Sequence, residues 1–409
     1  MLKHGSTQSK VLENLWIARN LVDYPPNVEL DRDTDLPKGD VGAIERARDW
    51  AENVVAPMAE VWEVERRFAA EAFQSAGQNN LTGLLVPSED GGEQISVIGL
   101  ARVLEEIAAV DFSVAFSLVC HNNLAGAVGR RAEGSLREKA LPGLVNGTSL
   151  GAFLLTEPNV GSDAAAITVT ATQDGEQWVL NGEKAWATNG TDADVLSVYA
   201  QTDSSLGHRG IATFLVDANA PGILKTPGYQ MLGGHGLGAN SILFDNCHVP
   251  AESLFVPTGE GFRAAMEGID LARVLVGAMC CGMLRTALTT ASSYVRQRLA
   301  FGGRLADLQG VRFKLADVST DLEASRLLTY RAARTFQEGR DAAVEAAHAK
   351  KFSTRVTESG IASCMQVMGA NGARRDHPLP RHLAASRLTH YVDGATEIQD
   401  VVISRSLLD

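Results

Sequence analysis

Ile167-Thr168-Val169-Thr170, Asp174-Gly175, Trp178-Val179-Leu180, Asn181-Gly182 and the run from Lys184 to Thr188 decide the fold. Here the apolar period drops from the helical 3.6 to the two-residue alternation of a half-buried strand. The reading is a strand over 167–170, a hairpin turn at Asp174-Gly175, a strand through 178–180, a second turn at Asn181-Gly182, and a strand over 184–188. Further strands are expected at Val195–Ala200, Ile211–Val216 and Ile242–Phe244, which makes 149–260 a β domain.

Outward from that stretch both flanks are helical. From Val41 to about 148 the pattern is amphipathic, with Leu100, Val103, Leu104 and Ile107 repeating at three and four, and Pro87 to Gly92 forming a loop. Beyond Gly261 the runs 263–299, 309–337 and 342–369 lack proline and are rich in Ala, Leu, Arg and Glu. They predict a C-terminal domain, 261–409, built as a four-helix bundle. Residues 1–40 read as a peripheral arm with a short helix at Glu13 to Val22, since Pro25, Pro26 and Pro37 break anything longer. The fold class is therefore α+β: helices over 41–148, a sheet, then helices.

The net charge of −12 excludes a nucleic-acid binder, which needs a basic footprint. It does not exclude a polyanionic ligand, because a local cluster of donors suffices. Five cysteines without a C-x-x-C pair point to a reducing compartment rather than a disulfide framework or zinc site. With neither a leader pattern nor an apolar run of spanning length, the expectation is a cytoplasmic protein without membrane insertion.

Two motifs carry chemistry. Leu155-Thr156-Glu157-Pro158-Asn159-Val160-Gly161-Ser162-Asp163 is a turn rich in hydroxyls and backbone donors, able to hold a flat heteroaromatic ring or an anion. Taken alone it is equally an ordinary capped turn. Lys184-Ala185-Trp186-Ala187-Thr188-Asn189-Gly190 places Trp186 and Thr188 two apart, hence on one face of a strand, an aromatic wall beside a hydroxyl. A core tryptophan is the plainer alternative.

Together these motifs resemble the acyl-CoA dehydrogenase family over about residues 42–408. The T-E-P-x-x-G-S-D loop and W-x-T-N-G strand occur in order. Leu104 to Ala108, Phe244-Asp245-Asn246, Val249-Pro250, Phe301-Gly302, Gln309, Gln366 and Gly369 to Gly372 also match. The resemblance implies FAD as cofactor, an acyl-CoA substrate, an electron-transfer flavoprotein or other acceptor as partner, and a homotetramer. It implies that Leu155 and Thr156 meet the flavin, with Trp186 and Thr188 against the ring. Ser162 lies between flavin and the CoA portion of the substrate. Arg298, Phe301 and Gln309 reach the FAD of a neighbouring subunit. Gln366, Gly369 and Ala370 hold its pyrophosphate region.

The family's base falls in a Y-E-G-T-like stretch, here Val392-Asp393-Gly394-Ala395-Thr396-Glu397-Ile398-Gln399. Asp393 stands in the glutamate's place, and Ala395 and Glu397 stand at flavin-side positions. Arg273, with Asp270, matches a family arginine near base and substrate, where its charge helps keep Asp393 ionised. Gly394 and the segment around Phe112, Phe116 and Ser117 are expected at the acyl group, although two phenylalanines four apart also suit plain helix packing. An Asp-Gly pair alone is more often a turn than a base. Aspartate is about 1.5 Å shorter in reach than glutamate, which favours a bulky, branched or alicyclic acyl group. The alternatives are a flavin oxidase of nitroalkane-oxidase type, a dehydrogenase of acyl-carrier-protein substrates, and a non-catalytic acyl-CoA-binding scaffold. His121 and His390 lack a second ligand at metal spacing, so no metal site is expected.

Overall fold

The computed structural model describes residues 36–408. The expected helix at Glu13 to Val22 lies outside the described residues. The chain enters through α1 (Lys38–Trp50), a π-helical turn at Ala51–Val55, α2 (Ala59–Glu65) and α3 (Ala70–Gln78). Then come α4 (Val97–Ala108), α5 (Phe112–Arg131) and α6 (Gly134–Asn146). The stripe at Leu100, Val103, Leu104 and Ile107 is buried, as its spacing requires. Ser96 caps α4 by accepting from Gly99 N at 2.9 Å, and Asp111 caps α5 by accepting from Val114 N at 3.1 Å.

The middle of the chain is a sheet of β1 (Gly151–Leu154), β2 (Thr170–Asp174), β3 (Gln177–Ala187), β4 (Val195–Gln201), β5 (Ile211–Asp217), β6 (Ile223–Lys225), β7 (Asn240–Pro250) and β8 (Leu254–Val256). Its order is β6-β7-β3-β2-β4-β5-β8, with β1 added parallel to β4. The hairpin at Asp174-Gly175 forms, pairing Asp174 with Gln177.

Two local expectations are corrected. Asn181-Gly182 is no turn. Gly182, at φ 124, is a bulge inside β3, where the register against β7 slips between Leu180 and Gly182. A Cβ there would meet Val169 at 2.9 Å, so the backbone approach requires glycine. Ile167 to Val169 alternate in burial but precede the strand. The Glu157 carboxylate, rather than a strand, takes their amides: Thr168 N at 2.7 Å and Val169 N at 2.9 Å.

Three long helices follow: α7 (Gly261–Gln297), α8 (Gln309–Gln337) and α9 (Ala343–Met368). A two-stranded hairpin, β9 (Leu299–Ala300) with β10 (Gly303–Arg304), separates α7 from α8, and α10 (Leu379–Thr389) and α11 (Thr396–Leu408) close the chain. The α7 helix is long and apolar enough to cross a membrane by length and composition, but 94% of that window is buried inside the fold, so it reads as a core helix.

One hydrophobic cluster runs from α1 through α4 and α5 into α7, α8 and α9, while the sheet has a separate core. Charges are buried at the helical junction. Glu105 accepts from Arg326 at 2.8 Å and Tyr330 at 2.6 Å, and Glu106 pairs with Arg285 at 2.8 Å and Arg102 at 3.1 Å. Breaking one partner of such a network leaves an uncompensated buried charge, which costs more than the pair contributes.

Candidate active site

The turn between α10 and α11 carries Asp393 and Gly394, both left-handed, at φ 51 and 94. A non-glycine residue there is strained by about 1–2 kcal/mol, so the surroundings must hold it. They do so through the main chain. Arg273 Nε donates to the Asp393 carbonyl at 3.0 Å, and Gln399 Nε2 donates to the Gly394 carbonyl at 2.9 Å. Lys350 Nζ donates to that same Gly394 carbonyl. Arg273 is in turn fixed by Asp270 at 2.7 Å. Three helices, α7, α9 and α11, thus hold two peptide units.

The Asp393 side chain is left over. Its Oδ2 is buried without a hydrogen-bond partner, and its main-chain N–H makes no hydrogen bond among the described residues. Burial pushes the carboxyl up to about 6, while Lys350 and then Arg273 pull it back. A buried acceptor without a donor costs on the order of 1–3 kcal/mol, which is unusual unless a ligand satisfies it.

From α5, Cys120 faces the same space. Its thiol is pushed well up by burial and by the Asp393 charge, with the nearby Thr188 side chain acting the other way. Thr188, Cys120, Asp393 and Arg273 are therefore brought together from four segments of the chain. The strand-face argument for Trp186 and Thr188 does not hold. Trp186 has φ 56, the pairing of β3 slips between Lys184 and Ala187, and β3 ends before Thr188. The indole turns outward, 59% exposed, against the Tyr229 ring at 4.6 Å. A core tryptophan is thereby excluded.

The loop over 155–163 is fixed from beneath. Lys184, fully buried, donates to Leu155 O at 2.8 Å and Glu157 Oε1 at 2.9 Å. Burial pulls Lys184 down to about 8, and despite its own burial Glu157 is held low by Lys184. Ala185 N donates to Thr156 O at 2.9 Å. Thr156 is half-buried beside this staple and Ser162 is exposed.

The other expected residues lie elsewhere on the single chain. Phe112 and Phe116 are buried and stacked at 5.7 Å, which realises helix packing, and Ser117 O accepts from Asn189. Arg298, Phe301 and Gln309 are exposed around the β9–β10 hairpin, with Phe301 95% exposed at φ 53. Gln366, Gly369 and Ala370 are exposed at the end of α9. None of these six shares a hydrogen bond or ion pair with the Asp393 cluster among the described residues. Ala395 is half-buried and Glu397 exposed. His121 is a core histidine, its Nε2 against the Thr82 and Leu144 carbonyls at 3.1 and 3.0 Å and its Nδ1 accepting from Gly151 N.

Sequence reasoning missed Glu157–Lys184, Cys120 and Lys350. Only Lys350 left a signal. It sits on the buried stripe of α9, with Ala346, Ala347, Ser353, Thr354 and Thr357, where a lysine is out of place.

These residues fit a flavin. An outward indole flanked by two buried alanines offers a stacking face, and the stapled 155–163 loop lies beside it.

Three family models match: acyl-CoA dehydrogenase N-terminal domain at residues 43–148, middle domain at 152–247 and C-terminal domain at 259–408. An acyl-CoA dehydrogenase of Bacillus subtilis is 34% identical over 362 residues, covering 88% of this chain and 96% of the relative. The human mitochondrial short-chain specific acyl-CoA dehydrogenase is 33% identical over 375 residues, 91% of each chain. Among solved structures, butyryl-CoA dehydrogenase from Megasphaera elsdenii superposes with a TM-score of 0.88 at 32% identity, over 92% of this chain and 99% of that one. The chain belongs to the acyl-CoA dehydrogenase family, FAD-dependent oxidoreductases acting on CH–CH groups.

Proposed function

We propose that the chain dehydrogenates an acyl-CoA thioester between its α and β carbons, with Asp393 in the place of the usual glutamate as the base. One observation carries this reading. Oδ2 of the Asp393 carboxylate is buried without a partner among the described residues, while the Asp393 and Gly394 carbonyls are clamped from three helices. A base must be held against its proton and must not be spent on another donor. FAD, when bound, supplies the acceptor for the hydride leaving the β carbon. Asp393 removes the α proton through its carboxylate, and its free main-chain N–H is available to the thioester oxygen as negative charge develops. Arg273 positions that residue and favours its ionised form.

Thr156, Thr188 and Trp186 would hold the flavin ring, with Leu155 and Ser162 at its edge and toward CoA. The exposed Arg298, Phe301 and Gln309, with Gln366, Gly369 and Ala370, would meet the FAD of a neighbouring subunit in a homotetramer. Electrons would leave to an electron-transfer flavoprotein. The shorter aspartate favours a branched or alicyclic acyl group, for which the substrate carbon must come about 1.5 Å closer to the backbone than for glutamate.

The test is an anaerobic titration of the purified yellow protein with straight, branched and alicyclic acyl-CoAs, beside Asp393→Asn. Bleaching by one class that is lost in the variant supports the reading. A flavin that no acyl-CoA bleaches overturns it, and rapid reoxidation by oxygen after bleaching would redirect it to an oxidase.

A further inference from the structure

Lys350 is an unusual lysine. It lies on α9 with 1% of its surface exposed, and among the described residues its hydrogen-bond acceptor is a main-chain carbonyl, that of Gly394. No carboxylate lies within ion-pair distance of it among the described residues. A buried ammonium held only by a neutral acceptor is costly, and the group is pulled down to about 8 by burial, with Asp393 acting to keep it charged. Nothing in the fold requires a charge here. The neighbouring stripe positions on α9 are alanine, serine and threonine.

The geometry explains the charge through the neighbouring residue. We propose that Lys350 is a positioning residue for Asp393, fixing the loop through the Gly394 carbonyl while its ammonium keeps the Asp393 carboxylate ionised and ready to accept the α proton. This rests on Asp393 being the base. Arg273, from α7, cannot serve alone, because its guanidinium is already shared with the Asp270 carboxylate at 2.7 Å and its Nε is committed to the Asp393 carbonyl. The other titratable groups around the loop do not substitute for it. Cys120 on α5 is held as a neutral thiol by burial, and His390 at the end of α10 is pulled down by burial and pairs with Glu358 at 3.1 Å. The charge of Lys350 also reaches His390, which turns toward Thr396 rather than toward Asp393.

The hydrogen bond and the charge separate by substitution. Lys350→Gln retains an N–H donor for Gly394 without charge, Lys350→Met removes both, and Lys350→Arg keeps the charge. The experiment uses FAD-loaded protein. It measures the single-turnover rate of flavin reduction by the best acyl-CoA from pH 5 to 9, as conditions of the assay spanning about two units either side of neutrality. Alongside it, the 13C-carboxylate resonance of Asp393, identified as the one lost in Asp393→Asn, is titrated.

In Lys350→Gln and Lys350→Met the acid limb of the rate profile and the carboxylate titration should both move up by about one pH unit. Lys350→Arg should restore the wild-type midpoint. If Lys350→Gln titrates like wild type, or Lys350→Arg shifts as far as Lys350→Gln, the ammonium has no such role and the inference fails. If Asp393→Asn still reduces its flavin at the wild-type rate, the base assignment itself has failed. An inactive Asp393→Asn with an unmoved Lys350→Gln overturns only the role of Lys350.

Discussion

Arg273 donates to the main-chain carbonyl of Asp393 at 3.0 Å and gives its other hydrogen bond to Asp270, leaving the buried Oδ2 of Asp393 without a donor among the described residues. The arginine secures the backbone of the candidate base without occupying its lone pairs. A direct guanidinium–carboxylate pair would have held Asp393 far below neutrality and made it a poor base at the pH of most assays.

The rate should therefore follow the ionisation of Asp393. With its carboxyl pushed up to about 6 by burial, flavin reduction by acyl-CoA is expected to rise with pH through that value and to level above it. Asp393→Asn should lower the reduction rate roughly 100- to 10,000-fold with FAD still bound. Stopped-flow spectra across the pH range check both. A flat profile in the wild type would count against the assignment.

The same carboxyl should destabilise the folded chain at neutral pH. Between 3.8 and about 6 the folded protein holds a proton that the unfolded chain has released, so stability falls as pH rises through that window. Above it the cost is on the order of 3 kcal/mol. Asp393→Asn should then raise the thermal midpoint above pH 7 and lose that advantage near pH 4. Differential scanning fluorimetry at the two pH values distinguishes this from a substitution that is uniformly stabilising.

Glu157 and Lys184 form a buried pair whose partners include Leu155 O and the amides of Thr168 and Val169. Lys184→Met should cost about 3–5 kcal/mol by stranding Glu157. The double variant Lys184→Met with Glu157→Gln should recover part of it, since both charges are then gone. Urea unfolding measures the stability, and the fraction of flavin retained after gel filtration reports on the 155–163 loop.

Phe301 is 95% exposed and left-handed, so the isolated chain gains little from it. Phe301→Gly relieves the backbone and should leave the stability of the flavin-free chain unchanged or about 1 kcal/mol higher. If Phe301 serves a neighbouring subunit's FAD, the same variant should retain flavin about tenfold less tightly. Equal retention would place the residue outside the cofactor site.

The layered order of helices, sheet and helices was legible because period and composition are local properties. The α4 stripe, the Asp174-Gly175 hairpin and the long proline-free helices follow from spacing alone. Asn181-Gly182 misled because the same dipeptide that makes a turn also makes a bulge, and the close approach of Val169 chooses between them. Trp186 misled because strand alternation holds only while the backbone stays extended, and here one left-handed residue reverses it.

By itself the sequence determined the order of elements, the family motifs and the acid at position 393. Tertiary structure decided which groups surround that acid. Cys120, Thr188, Arg273 and Lys350 come from four distant segments, and only packing gathers them around one residue, with Arg273 and Lys350 bonded to the Asp393 and Gly394 carbonyls. The ionisation of Asp393 depends on burial and on neighbouring charge, and both are properties of the assembled fold rather than of any stretch of chain.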